Sequence, residues 1–185
     1  MGAGWVEYDT VVRFLRFGFA VLMVAAALVS PELGRAAPAV VIVVRHAEKA
    51  AAPADDPPLT AAGKKRAEEL VRVVGLWRAS GAKVTGLFAT EVKRTQQTLA
   101  PLATATGVTV TTVVAKDTPG LVKKILAVKG GVVVVAGHSN TVPGIIQALG
   151  GPPDLTIEDD EFDWLIAVTG AGGKASAVSL RYGGQ

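Results

Sequence analysis

Two apolar runs constrain this chain more than anything else in it. In "VVIVVRHAEKA" (Val40 to Ala50), five β-branched residues run without a break and stop at Arg45-His46. In "GGVVVVAGHSN" (Gly130 to Asn140), a second run stops just short of His138. Unbroken β-branched runs are expected of strands buried on both faces, as in a parallel sheet covered by helices above and below. The chain has only two histidines, and each stands at the end of such a strand.

From Val40 onward, strand-like and helix-like patterns alternate. "AAPADDPPL" reads as a loop because of its prolines and aspartates. Thr60 can cap a helix to about Ser80, in which Ala67, Leu70, Val71, Val74 and Trp77 share one face and Gly81 ends the run. Val84 to Ala89 reads as a strand, and Thr90 as the opening of a helix to about Thr106, bent at Pro101. Val108 to Val114 is a third strand. Asp117 or Thr118 then caps a helix with Pro119 in its first turn, ending at Gly130. Val132 to Val135 is a fourth strand, followed by a short helix from Asn140 to Leu149. Phe162 to Thr169 and Ala175 to Arg181 read as a closing hairpin at a sheet edge. The expectation is an α/β three-layer sandwich: a mainly parallel sheet of about six strands with helices on both faces.

The chain has 185 residues, enough for one full core. Its net charge of +3 is mild and shows no basic tract, so no nucleic-acid partner is expected. There is no cysteine, which excludes disulfides, thiolate metal sites and thiol catalysis. Arg13 and Arg16 precede an uncharged run from Phe17 to Val29, which as a helix spans ~20 Å against a bilayer core of roughly 30 Å. Ala37 and Ala39 then form a small-residue pair before the first strand. This order predicts a secretory signal over residues 1–39, with residues 40–185 as the domain, exported to the periplasm or cell envelope. The alternative is an uncleaved anchor, the only route to a membrane. Glu7 and Asp9 are out of place in a signal's basic region, which suggests a translation start near Val11 or Val12.

In open parallel sheets, functional groups gather outside the carboxyl ends of the strands. His46 and His138 both lie there, with Arg45 beside the first and Arg94 in the first turn of the helix after the second strand. That set suits a phosphoryl group. Guanidiniums grip its oxygens in bidentate fashion, helix starts near Thr90 and Asn140 add N–H donors, and a neutral imidazole can attack phosphorus. Nearby cations keep such an imidazole unprotonated.

Four stretches carry a closer likeness: "RHAE" (Arg45 to Glu48), "PLTAAG" (Pro58 to Gly63), "FATEVKRTQQTLAPLA" (Phe88 to Ala103) and "GHSNTVP" (Gly137 to Pro143). In order and spacing they resemble the histidine phosphatase superfamily, the phosphoglycerate-mutase-like group, and most closely its small bacterial members of the phosphohistidine phosphatase type. The resemblance spans about Val40 to Tyr182. It implies a phosphoglycerate-mutase-like fold, His46 as the phosphorylated nucleophile, Arg45 and Arg94 as phosphate ligands, and His138 as donor to the transferring group. Ala47 stands where many members have glycine. The family's general acids are missing: "VVAKDTPG" follows the third strand, and Ser139 follows the second histidine. Asp117, Glu91, Asp55 and Asp56 are the available stand-ins.

Other residues have plainer readings. Glu48 pairs with an arginine or lysine, and Lys49 is solvated or faces the pocket mouth. Ser139 and Asn140 cap the fourth helix, with a phosphate contact from Ser139 as the further possibility. Glu158 to Asp163 is a solvated acidic run. A metal would need a third ligand such as Glu48 and would be repelled by the arginines, so no metal or organic cofactor is expected. The expected activity is hydrolysis of a small phosphomonoester through a phosphohistidine on His46. The alternatives are a phosphohistidine protein phosphatase, whose imidazole leaving group needs little acid help, and a module that binds phosphorylated ligands without turnover. A mutase would need a water-excluding lid, and no long insert supplies one.

Overall fold

The computed structural model describes residues 37–79 and 81–183. The leader and the start site near Val11 or Val12 therefore lie outside the described residues, apart from the last three leader positions.

Six strands and four helices alternate: β1 (Val40–Arg45), α1 (Ala61–Ala79), β2 (Val84–Thr90), α2 (Lys93–Thr106), β3 (Val110–Val113), α3 (Thr118–Ala127), β4 (Val132–Gly137), α4 (Val142–Ala148), β5 (Trp164–Thr169) and β6 (Ser176–Arg181). They form one sheet in the order β3-β2-β4-β1-β5-β6. The first four in that order are parallel, while β5 runs antiparallel to β1 and β6 antiparallel to β5. The closing hairpin is thus an edge addition, and the expected three-layer sandwich is what forms.

The apolar runs explain the layers. Strand side chains alternate between faces, so β1 sends Val41 and Val43 to one side and Ile42 and Val44 to the other. The first pair packs with Leu121 and Ile125 of α3 and Ile145 and Ile146 of α4. The second pair packs with Leu70 and Val74 of α1 and Leu99 and Leu102 of α2. Both faces of β1 and β4 are buried, so neither strand has a polar alternation to show.

Several boundaries differ from the sequence expectation. Thr90 does not open a helix. It ends β2, and α2 begins at Lys93. The helix runs on through Pro101 and ends at Gly107, whose φ of 71° is a left-handed conformation that glycine adopts without penalty. Asp117 does cap α3, accepting from the Gly120 N–H at 2.9 Å. α4 begins at Val142 with Thr141 as its N-cap, so neither Ser139 nor Asn140 caps it. Phe162 precedes β5 rather than opening it.

Candidate active site

The parallel strands β1, β2 and β4 all end at the same sheet edge, and each hands on one functional group. Register does the rest: Arg45 lies opposite Gly137, and the His46 N–H donates to the Gly137 carbonyl at 2.8 Å. The two imidazoles meet at a centroid separation of 5.3 Å, tilted by 64°. Both are buried, as is Arg45.

The two rings hold opposite tautomers. His46 Nδ1 lies 2.8 Å from the Ala47 carbonyl, which can only accept, so Nδ1 carries the proton and the Nε2 lone pair is free. Ala47 is fixed in turn by α2, since its N–H donates to Thr98 Oγ1 at 2.9 Å. At His138, Arg94 Nη2 donates to Nδ1 over a long 3.4 Å, so the proton sits on Nε2 and is donated to Thr90 Oγ1 at 3.0 Å. Thr90 passes its own proton to Thr95 Oγ1 at 2.8 Å, and Thr95 donates to the Val92 carbonyl at 2.9 Å.

Both rings are held neutral. Burial is the largest cause and lowers the His46 pKa to about 3. His138, Arg94 and Arg45 push the same way, against the Ala47 carbonyl, which raises it. Burial likewise brings His138 down to about 4, aided by Arg94 and Arg45 and opposed by Glu91. Crowding two imidazoles with two guanidiniums therefore leaves a nucleophilic lone pair at neutral pH.

The guanidiniums are incompletely satisfied. Arg45 Nη1 donates to the carbonyls of Glu158 (2.6 Å) and Glu161 (3.1 Å), and the Arg45 Cζ lies 4.2 Å from the centre of the Phe162 ring. Its Nε, and that of Arg94, are buried without a hydrogen-bond partner. A buried donor left empty costs roughly 1–3 kcal/mol. Two of them beside two neutral imidazoles describe a cradle that an oxyanion would complete.

The remaining sequence candidates fall differently. Ser139 donates to Asp159 Oδ1 at 3.0 Å. Lys49 is exposed, its backbone pairing with Leu59, and it touches none of the four central residues. Glu48 is structural, as expected: Arg66 binds it through Nε and Nη2, and these bonds hold its pKa below the usual carboxylate range although burial alone would raise it. Asp56 accepts from the Lys93 N–H at 2.9 Å, so it caps α2 from across the loop and takes up a donor the sequence reading left free. Glu91 accepts from the Ala115 N–H at 2.8 Å. Asp55 is exposed. Among the described residues no group of three or more His, Asp or Glu could hold a metal ion.

The acidic run is not merely solvated. Glu161 and Asp163 pair with Arg181 of β6, and the loop's carbonyls grip Arg45. Phe162, Thr90, Thr95 and Thr98 were absent from the sequence candidates. Only Thr95 and Thr98 left a trace there, as polar residues on the helix face that carries Arg94.

Residues 41–115 match the family described as histidine phosphatase superfamily (branch 1). No curated protein matches the chain. Solved structures share the fold at low identity. A protein from Agrobacterium tumefaciens assigned as the phosphohistidine phosphatase SixA is 18% identical, with a TM-score of 0.59, over 80% of this chain and 99% of that one. The protein histidine phosphatase SixA complexed with tungstate is 17% identical, with a TM-score of 0.56, over 77% and 96%. A mycobacterial glucosyl-3-phosphoglycerate phosphatase is 11% identical, with a TM-score of 0.56, over 77% and 97%.

Proposed function

Starting from a chain whose residues 41–115 match the histidine phosphatase superfamily, we propose that it is an exported phosphohydrolase that cleaves small phosphomonoesters through a phosphohistidine on His46. The observation that carries this reading is the His46 tautomer. A buried imidazole with Nδ1–H tied to the Ala47 carbonyl offers its Nε2 lone pair next to two unsatisfied guanidinium donors. The phosphoryl oxygens would take the Arg45 and Arg94 Nε–H groups, and Nε2 would attack phosphorus from within the cradle.

His138 enters with its Nε2–H committed to Thr90, so the neutral ring has no proton for a phosphoryl oxygen. Its Nδ1 accepts from Arg94 Nη2, so the neutral ring holds that guanidinium in place for the phosphoryl oxygens. The charge developed in transfer would be met by the two guanidiniums. A binding module would need the same cradle but no aligned nucleophile, so turnover is the better reading.

Phosphohistidine is the second substrate reading. It is supported by the fold shared with SixA and by the ease with which imidazole leaves. Export argues against it, because phosphohistidine relays depend on ATP inside the cell. Rapid quenching into alkali after addition of radiolabelled substrate, followed by peptide mapping, tests the assignment. Label should appear on the His46 peptide in wild-type protein and more slowly in His138→Ala, and should vanish in His46→Ala. Label on His138, or normal turnover by His46→Ala, refutes it. Cell fractionation tests export, which full-length protein in the cytosol would refute.

A further inference from the structure

We propose that Asp159 is the general acid of this phosphoryl transfer, supplying the group that the strand-end motifs lack. The assignment rests on the hydrolase reading above. Asp159 lies in the acidic loop between α4 and β5, far in sequence from both histidines. The fold brings it to the mouth of the cradle. Its Oδ1 is 3.8 Å from Arg45 Nη2 and accepts from Ser139 Oγ at 3.0 Å. Ser139 directly follows His138, so this carboxylate bridges the ends of β1 and β4. Its side chain is 97% exposed, so the contact adds little stability. Its value is position: the leaving group of a phosphoryl ester held by Arg45 must exit on the open side, where Asp159 stands.

The loop is built to hold that position. Its Glu158 and Glu161 carbonyls bracket Arg45, the Glu161 carboxylate accepts from the Glu158 N–H at 3.0 Å, and Arg181 binds Glu161 and Asp163. Competing carboxylates are already committed. Asp117 caps α3, Asp56 caps α2, Glu48 binds Arg66, Glu91 holds the Ala115 N–H, and Glu161 and Asp163 bind Arg181. Both contacts of Asp159, to Ser139 and to Arg45, fall on its Oδ1.

The chemistry balances in two halves. His46 Nε2 donates its lone pair to phosphorus, the bond from phosphorus to the ester oxygen breaks, and the Asp159 carboxyl proton passes to that oxygen. The alcohol leaves and Asp159 becomes a carboxylate. Water then attacks the phosphohistidine, Asp159 takes the water's proton, the P–Nε2 bond breaks with its electrons returning to His46, and inorganic phosphate departs.

A general acid matters most for poor leaving groups, and its help is worth ~10²- to 10⁴-fold. The test compares kcat/KM for p-nitrophenyl phosphate and for glycerol 2-phosphate in the full-length chain and in Asp159→Asn, Asp160→Asn and Glu91→Gln. Asp159→Asn should lose ~10²-fold or more on the alkyl ester and less than ~10-fold on the aryl ester. Asp160→Asn, which removes the same charge one residue away, should leave the ratio between the two esters unchanged. Equal losses on both esters in Asp159→Asn, no loss on either, or the selective loss appearing in Glu91→Gln instead would each overturn the assignment alone. So would a wild type that cleaves only the aryl ester. Wild-type protein that cleaves neither ester overturns the hydrolase reading and this assignment with it.

Discussion

Acidification should unfold this domain through its two site histidines, and the size of the effect follows from their surroundings. In the folded protein, burial and the two arginines hold His46 at about 3 and His138 at about 4. In the unfolded chain each titrates near ~6.5. A histidine with a lowered folded pKa is protonated first in the unfolded state. Stability is therefore complete above the unfolded value and falls as the pH drops, until the folded pKa is reached. At pH 4.5 each unfolded ring is about 99% protonated while each folded ring is still mostly neutral, so linkage costs ~2–3 kcal/mol per ring, or ~5 kcal/mol for both. Glu48, whose pKa is also lowered, adds its loss below the ordinary carboxylate range of ~4.3, in every variant alike. Urea unfolding of the wild type, His46→Gln, His138→Gln and the double variant at pH 8 and pH 4.5 gives the measurement. Each protein serves as its own reference, so static costs of substitution cancel. The double variant should lose ~5 kcal/mol less than the wild type between the two conditions, and each single variant should recover about half of that. If the double variant loses as much as the wild type, the rings are not held neutral, and the account of His46 as an uncharged nucleophile fails with them.

Two further perturbations probe the frame of the site. Arg94→Ala removes a proposed phosphate donor and the largest charged influence on His138. Steady-state kinetics should show kcat/KM falling ~10²- to 10³-fold, and an imidazole NMR titration should show the His138 pKa rising; an unmoved His138 would contradict the electrostatic account. Gly63→Ala reverses the usual helix preference, because a Cβ on this α1 glycine would lie 2.3 Å from the Glu48 carbonyl oxygen, a backbone atom that cannot swing away. Where a helical Ala for Gly normally gains ~1 kcal/mol, thermal unfolding should here register a loss of ~1–3 kcal/mol, with reduced turnover because Glu48 adjoins the His46 loop. A stabilised variant would refute the close approach.

What the sequence could show depended on how local each cause was. β1 and β4 were legible because burial on both faces leaves an unbroken apolar run, and their shared register made His46 and His138 neighbours without further information. The start of α2 was misplaced because Thr90 resembles a cap, whereas its hydroxyl is used by His138. The residue that does cap α2 is Asp56, 37 positions away. The acidic loop was beyond reach for the same reason. Its carbonyls meet Arg45 across separations of 113 and 116 residues, and a run of like charges carries no mark of the arginines that anchor it.

The "KRTQQT" motif has a physical reason to be longer than one arginine requires. Arg94 and Thr98 are four residues apart and Thr95 and Thr98 three, so α2 presents all three on one face. Arg94 gives His138 Nδ1 a donor, and Thr95 accepts from the Thr90 hydroxyl that in turn accepts from His138 Nε2–H. Thr98 holds the Ala47 N–H, and through that peptide the carbonyl that fixes His46 Nδ1–H. The Thr98 hydroxyl also donates to the Arg94 carbonyl at 2.7 Å, locking the two positions together. A single helix thus sets opposite tautomers on two touching rings. Between the threonines, Gln97 accepts the Leu59 N–H at 2.8 Å, and Asp56 of the same loop caps the helix start. The loop therefore fixes the helix and the helix fixes both protons, which leaves the His46 Nε2 lone pair free for the attack proposed above.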